Sequence, residues 1–363
     1  MTVDVGNHAY VVQVGNKILD GLGRALLDKF SRARCAIVAD EQVAALLGHR
    51  VKHILGSAEF QPILIPVAPG EKSKTLEQVG AICDHMIAFG LDRQSFVIGL
   101  GGGVIGDISG FAAAIYHRGI PHVQIPTTLL AMVDSSIGGK TGVNTSMGKN
   151  LIGALHHPVL VIDDMDVLQT LPAREFNQGF AEIIKHAIIA DAEMFAELQV
   201  AKPSSFRPSD DASETVPLQK LIRRNIEIKL QIARDDEYDR KGKRALLNFG
   251  HTVGHAIERA GEYGQFLHGE AISLGMVAAC TVSEKRAGLS PDHCNAMVQV
   301  LERFDLPTRL PAGFPRDKIF EALPFDKKFE GGKIRFVVTP AIGSAQLSMD
   351  VTMEDIREAV ERL

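Results

Sequence analysis

Short apolar blocks punctuate the first half of the chain. The runs 10–14 (YVVQV), 35–39 (CAIVA), 63–67 (ILIPV), 96–100 (FVIGL), 122–125 (HVQI) and 159–163 (VLVID) have the length and β-branched content of buried strands. Helical patterns separate several of them, such as TLEQVGAICDHMIAFG at 75–90. Strands alternating with helices predict an α/β domain over 1–170 with a Rossmann-like, largely parallel sheet. After about residue 170 the period changes. Residues 173–198, 218–235, 251–260, 270–287 and 290–303 repeat at helical spacing, which predicts a mostly α-helical domain over 171–363. AKPSSFRPSDDASETVP (201–217) reads as an exposed loop between helices. KIRFVV (333–338) and SAQLSM (344–349) predict a late hairpin around PAIG.

Composition narrows the class. A chain of 363 residues fits two domains at roughly 100–200 residues each. The net charge of −5 argues against a nucleic-acid binder, which carries a basic stripe. The first residues lack the basic and apolar pattern of a signal peptide, and charged residues or glycines break every apolar run short of a membrane span. Cys35, Cys83, Cys280 and Cys294 are scattered, as expected of thiols in a reducing cytoplasm.

Candidate chemistry lies in both halves. FVIGLGGGVIGD runs a strand into a glycine cluster, and Gly101-x-Gly103-x-x-Gly106 matches the dinucleotide fingerprint. A tight strand-to-helix turn would look the same, and this is the fourth strand or so rather than the first. Asp40 ends the strand CAIVAD, where a carboxylate can meet a ribose hydroxyl. PGEKSK (69–74) offers Glu71 and Lys74. IPTTLLAMVDSSIGGKTGVN (125–144) packs hydroxyls, Asp134, glycines and Lys140 into one span, and GKNLIG (148–153) adds Lys149 and Asn150. In the helical half, NFGHTVGHAIE puts His251 and His255 on one helix face, with Glu258 a turn later. Thr252 stands where an H-E-x-x-H protease has its Glu, so the spacing leaves open whether both, one or neither histidine binds metal. GFAEIIKH supplies Glu182, Lys185 and His186, and HGEAISLGM opens with His268. One Glu with two His is a catalytic zinc set; separate roles, a buried salt bridge for Glu182 and a cap for His268, are the alternative.

Together GGGVIGDISGFAAA, QIPTTLLAMVDSSIGGKTGVN, GKNLIGA, TLPAREFNQGFAEIIKH, ALLNFGHTVGHAIE and HGEAISLGM resemble, in order and over nearly the whole chain, the motifs of the 3-dehydroquinate synthase family. The glycine turn and the metal helix alone would also fit the related iron-containing alcohol and glycerol dehydrogenases. The resemblance implies conversion of 3-deoxy-D-arabino-heptulosonate 7-phosphate to 3-dehydroquinate and phosphate, in the shikimate pathway. The implied steps are transient oxidation at C5 by NAD, phosphate elimination, re-reduction, ring opening and aldol closure. It also implies an active site in the cleft between the two domains, a homodimer, NAD and a divalent metal, zinc or cobalt.

The same resemblance assigns the residues. Glu182, His251 and His268 would hold the metal. Asp40, Glu71, Lys74, Gly102, Gly103, Asp107, Thr127, Thr128, Asp134, Ser135, Lys140, Lys149, Thr170, Leu171 and Glu175 would surround NAD. Lys140, Asn150, Lys185, Lys229, Arg244, Asn248, His255 and Lys328 would contact substrate, and Arg118 would reach the phosphate site of a neighbouring subunit. Sister sugar phosphate cyclases act on substrates without a carboxylate and have no reason to keep a cationic carboxylate pocket, for which Lys229, Arg244, Asn248, His255 and Lys328 are all present here. A polyol dehydrogenase would need neither phosphate nor carboxylate cations and would release NADH. The chain departs from the family pattern at His157, at Gln42, and in a segment from Lys229 to Arg244 one residue longer than usual.

Overall fold

The structure, a computed structural model, describes residues 1–5, 8–31, 33–209, 215–234, 236, 242–262, 264–323, 329–330 and 333–363. Lys328 lies outside the described residues. The chain divides into two compact units, Met1–Leu171 with Pro208–Arg223, and Pro172–Arg207 with Arg224–Leu363.

The first unit contains β1 (Thr2–Val5), β2 (His8–Gly15), β3 (Arg34–Asp40), β4 (Gln61–Val67), β5 (Phe96–Gly101), β6 (His122–Pro126), β7 (Lys140–Thr145), β8 (Gly148–Leu155) and β9 (Leu160–Asp164). Seven of these form one sheet in the order β1-β2-β9-β6-β5-β3-β4, parallel except for β1 against β2. Every residue of β5 is buried, which explains its unbroken apolar run: both faces of a parallel strand are covered. The helices α1 (Leu22–Leu27), α2 (Glu41–Val43), α3 (His49–Ser57), α4 (Leu76–Ala88) and α5 (Gly103–Ile115) connect the strands. Val79, Ile82 and Met86 of α4 and Ile105, Ile108 and Phe111 of α5 share a core with Val38, Val67 and Val97 of the sheet.

The strand order reverses at β3. The chain passes outward from β3 to β4, then crosses back to lay β5 on the other side of β3. Ligands bind at such switch points, outside the carboxyl ends of the strands. Those ends are Asp40 and the glycine turn after Gly101.

The polar, glycine-rich runs 125–144 and 148–153, read from sequence as candidate ligand segments, contain an antiparallel hairpin of β7 with β8. Its pattern is hidden by glycine: a methyl group at Gly153 would lie 2.0 Å from the Thr141 carbonyl oxygen, so this crossing admits no side chain.

In the second unit α6 (Ala173–Ala190) and α7 (Ala192–Val200) replace the single helix predicted over 173–198. The break is Asp191, which leaves helical geometry and caps α7 by accepting from the Met194 N–H at 3.0 Å. Asp191 also receives Arg224 at 2.6 Å, from α8 (Val216–Arg234), a helix that begins among residues of the first unit. The predicted loop 201–217 contains a helical turn, Pro203–Phe206, and its last two residues already belong to α8; residues 210–214 lie outside the described residues. Then come α9 (His251–Ala260), α10 (His268–Ala287), α11 (Pro291–Arg303), α12 (Arg316–Ala322), the short pair β10 (Phe329–Glu330) and β11 (Lys333–Ile334), and the predicted hairpin, β12 (Phe336–Ala341) with β13 (Ser344–Ser348). The last helix is α13 (Met353–Glu361).

Glycines bring α6, α9 and α10 into backbone contact. A methyl group at Gly275 of α10 would sit 2.0 Å from the Gly250 carbonyl oxygen, and one at Gly269 would sit 2.1 Å from that of Gln178 on α6. Gly250 also precedes α9 at φ +79°, a conformation that favours glycine.

Candidate active site

Three helices converge on one carboxylate. Glu182, in the middle of α6, is fully buried. Its Oε1 lies 3.5 Å from His251 Nε2 and 3.8 Å from His268 Nε2, yet makes no hydrogen bond among the described residues. Its Oε2 contacts Lys185 one turn on. Burial alone would raise the Glu182 carboxyl, but Lys185, His251 and His268 outweigh it and hold it well below its ordinary value. Burial keeps His251 well below the usual imidazole range, against the pull of Glu182. For His268 burial is again the largest effect and would lower it, but the Glu258 and Glu182 carboxylates together push it up to about 10. A carbonyl oxygen only accepts, so the 3.1 Å contact of His251 Nδ1 with the Phe249 carbonyl puts the ring proton on Nδ1 and leaves Nε2 as a lone-pair donor.

One carboxylate oxygen and two imidazole nitrogens therefore face one point, all within 4.8 Å of one another. This is a three-ligand set of the kind found in catalytic zinc sites, and the buried Oε1 of Glu182, with no hydrogen bond among the described residues, fits a cation. His255 lies on the same face of α9, its ring 5.2 Å from that of His251, and is exposed. The turn Arg244–Asn248 packs against α6, with Arg244 buried and its N–H 3.4 Å from Asp236 Oδ2. Lys229 of α8 is also buried.

In the first unit the nucleotide candidates cluster at the switch point. Gly102 precedes α5, whose start has no side-chain cap, so its N–H groups are available to an anion. A methyl group at Gly102 would meet Thr128 at 3.2 Å, one at Gly103 would meet Ser135 Oγ at 3.0 Å, and one at Gly106 would meet Gln124 at 2.6 Å. The first two glycines thus leave a shallow backbone cradle beside two hydroxyls, and the third allows close packing on β6. Lys74 Nζ pairs with Asp107 Oδ2 at 2.5 Å. Burial raises the Asp107 carboxyl despite that contact. Glu71 receives the Asn144 side chain at 2.7 Å and stands 3.8 Å from Lys149. This donor set fits a dinucleotide.

The family model "3-dehydroquinate synthase N-terminal" matches residues 64–178 and "3-dehydroquinate synthase C-terminal" matches 179–329. A 3-dehydroquinate synthase from Desulforamulus reducens is 41% identical over 354 residues, covering 98% of this chain and 97% of that protein. The chain belongs to the 3-dehydroquinate synthase family. Among solved structures, the 2-epi-5-epi-valiolone synthase of Streptomyces hygroscopicus subsp. jinggangensis, with NAD+ and Zn2+ bound, is 32% identical. It superimposes with a TM-score of 0.88 over 99% of this chain and 98% of that one. A 2-deoxy-scyllo-inosose synthase complexed with carbaglucose-6-phosphate, NAD+ and Co2+ is 25% identical, with a TM-score of 0.88 over 100% and 99%.

Within this 3-dehydroquinate synthase framework, the structure brings Glu182, Lys185, His251 and His268 together in one unit, and Glu71, Lys74, Asp107 and Lys149 in the other. Asp40 caps α2, its Oδ1 accepting from the Gln42 and Val43 N–H groups at 3.0 Å each. Thr127 is buried at the end of β6, and Asp134 lies in the turn after it. Lys140 is exposed at the start of β7. Thr170, Leu171 and Glu175 span the passage into α6. Arg118 is exposed and left-handed at φ +68°, after His117 at +50°. Asn150 is also left-handed, at φ +55°, its N–H donating to Asn144 Oδ1 at 3.0 Å.

Two residues in the quoted motifs received no role from sequence. Asn144 donates to Glu71, and its Oδ1 fixes the Asn150 backbone while its N–H meets the Lys74 carbonyl at 2.8 Å. Glu258 faces His268 Nδ1 at 3.5 Å. Its only signal was helical spacing, seven residues from His251.

Proposed function

We infer that this chain is a 3-dehydroquinate synthase, converting 3-deoxy-D-arabino-heptulosonate 7-phosphate to 3-dehydroquinate and phosphate with catalytic NAD and a divalent metal. The observation that carries this is the convergence of Glu182, His251 and His268 beside the buried cation Lys185. When bound, the metal would supply Lewis acidity toward substrate hydroxyls, and NAD would supply reversible hydride acceptance at C5.

The protein's own residues do the rest. Glu182, His251 and His268 hold the ion. Glu182 stays ionised, as a ligand must, because Lys185 and the imidazoles offset its burial. Lys185, Lys229, Arg244, Asn248, His255 and Lys328 take the substrate's oxygens, with Arg244 offering the two-pronged donor that suits a carboxylate. The uncapped start of α5 takes the pyrophosphate of NAD over Gly102 and Gly103, and Asp40 meets a ribose. Thr127, Thr128, Asp134, Ser135, Thr170, Leu171 and Glu175 complete the nucleotide site. Lys140 serves both ligands, and Asn150 contacts substrate. Arg118 serves the neighbouring subunit of a homodimer. No described helix is long and apolar enough to cross a membrane, and four free thiols support a cytoplasmic location.

The test is incubation of the purified chain with the keto acid phosphate, NAD and zinc. Phosphate and dehydroquinate should appear in equal amounts without net NADH. NADH in step with substrate consumed would instead identify a polyol dehydrogenase. Turnover only of a substrate without a carboxylate would identify a sister cyclase.

A further inference from the structure

We propose that Glu258 is a positioning residue of the metal centre: its carboxylate holds the His268 ring so that Nε2 faces the ion. The proposal rests on the metal reading above.

His268 stands between two carboxylates. Its Nε2 is 3.8 Å from Glu182 Oε1, and its Nδ1 is 3.5 Å from Glu258 Oε2. The two nitrogens of an imidazole point in different directions, and a neutral ring carries one N–H. A carboxylate at Nδ1 draws that hydrogen to itself and leaves the lone pair on Nε2, where the ion needs it. It also raises the donor strength of Nε2 and stops the ring from turning over. His251 meets the same requirement through the backbone, with its Nδ1 against the Phe249 carbonyl at 3.1 Å. His268, the first residue of α10, meets it through a side chain from α9. So α9 supplies one ligand outright and orients another that belongs to a different helix. Glu258 is 4% exposed, and a carboxylate so deeply buried requires a compensating partner. His268 supplies one.

Glu258 also has an oxygen within 4.8 Å of a His255 nitrogen, so an activity assay would mix metal and substrate effects. The experiment therefore measures zinc affinity of the full chain by chelator competition, without substrate or NAD. It compares wild type with Glu258→Gln and Glu258→Ala, and records the absorption spectrum of the cobalt-loaded proteins. Glu258→Ala should bind zinc about 10–100-fold more weakly, as for other outer-shell partners of metal-bound histidines. Glu258→Gln should fall between, because an amide oxygen still accepts from Nδ1–H, and its metal-free melting temperature should match wild type. The cobalt bands should change in both variants. Wild-type zinc affinity and cobalt spectra in both variants would overturn the proposal. So would a Gln variant that melts lower without metal yet binds zinc normally, since Glu258 would then be a structural residue. His268→Ala is the control. If it keeps wild-type zinc affinity, the ligand set itself is wrong. If it loses zinc while both Glu258 variants keep it, only the positioning role fails.

Discussion

The two histidines of HTVGH share a helix face; His251 directs Nε2 at Glu182 Oε1 at 3.5 Å, while His255 is exposed beside it, ring centroids 5.2 Å apart. The bare i, i+4 spacing left this open, because the other two members of the candidate set, Glu182 and His268, lie on other helices. His251→Ala should lose the metal on dialysis, whereas His255→Ala should keep close to one ion per chain and lose most activity. Metal analysis by mass spectrometry beside an activity assay reads both; loss of metal from both variants would mean that the pair chelates together. Asp163 is a different case, invisible in sequence because it closes an ordinary strand pattern. It is fully buried, and neither carboxylate oxygen has a hydrogen-bond partner among the described residues. Burial pushes its carboxyl well above the ordinary value. A folded-state value above the unfolded one favours the protonated form, so stability falls as pH rises through the window between them. Asp163→Asn should therefore melt higher than wild type at pH 8, with the gap closing toward pH 4. A constant gap across that range would refute the assignment.

Elements with a clear period were legible: the six strands quoted at the outset and α4, α9, α10 and α11 occur within a few residues of their predicted spans. Those missed lacked a period or carried a local signal that outranked it. Asp191 ends α6 although the apolar spacing runs on into α7, and the glycines of β7 and β8 resemble a loop although they form a hairpin. The contact of α9 with α10 was unreadable, because small residues mark close approach only when the partner is known. Gly275→Ala would press a methyl group onto the Gly250 carbonyl, so it should cost about 1–3 kcal/mol in denaturant melts and weaken zinc binding. Unchanged zinc affinity would show that helix spacing does not set the ligand geometry. At the far end of α10, Arg286 holds Asp355 of α13 through two bonds of 2.8 and 2.9 Å. Burial alone would raise the Asp355 carboxyl, but Thr352, Lys285 and Arg286 outweigh it and depress it. The stability it contributes is full above the unfolded carboxyl value and is lost as pH falls through the depressed one. Asp355→Asn should thus lower the melting temperature at pH 7 and narrow its difference from wild type in strong acid.

At the scale of the molecule, the sequence showed a change from alternating to helical character near residue 170, and the motifs carried the family. It did not show that Pro208–Arg223 joins the first unit, because membership in a compact unit depends on contacts rather than on period. Removing the metal with a chelator should abolish phosphate release while leaving the secondary structure seen by circular dichroism intact. The helices around Glu182 are held by their own apolar cores, which include Phe176, Phe180, Ile257 and Leu274. Collapse of the far-ultraviolet signal on chelation would show that the ion is a structural support.

His251 opens α9 and His268 opens α10. Each helix start carries a partial positive charge of roughly half an elementary unit, so an ion held by Glu182, His251 and His268 would sit against two like fields, opposed by the Glu182 and Glu258 carboxylates and by Glu270 at the start of α10. An arriving anion is attracted by all three positive centres at once. Metal and anionic substrate should consequently assist one another's binding, by a factor that is the same in both directions. A titration of zinc with and without saturating dehydroquinate, matched by a titration of dehydroquinate with and without zinc, should return one common coupling constant greater than unity.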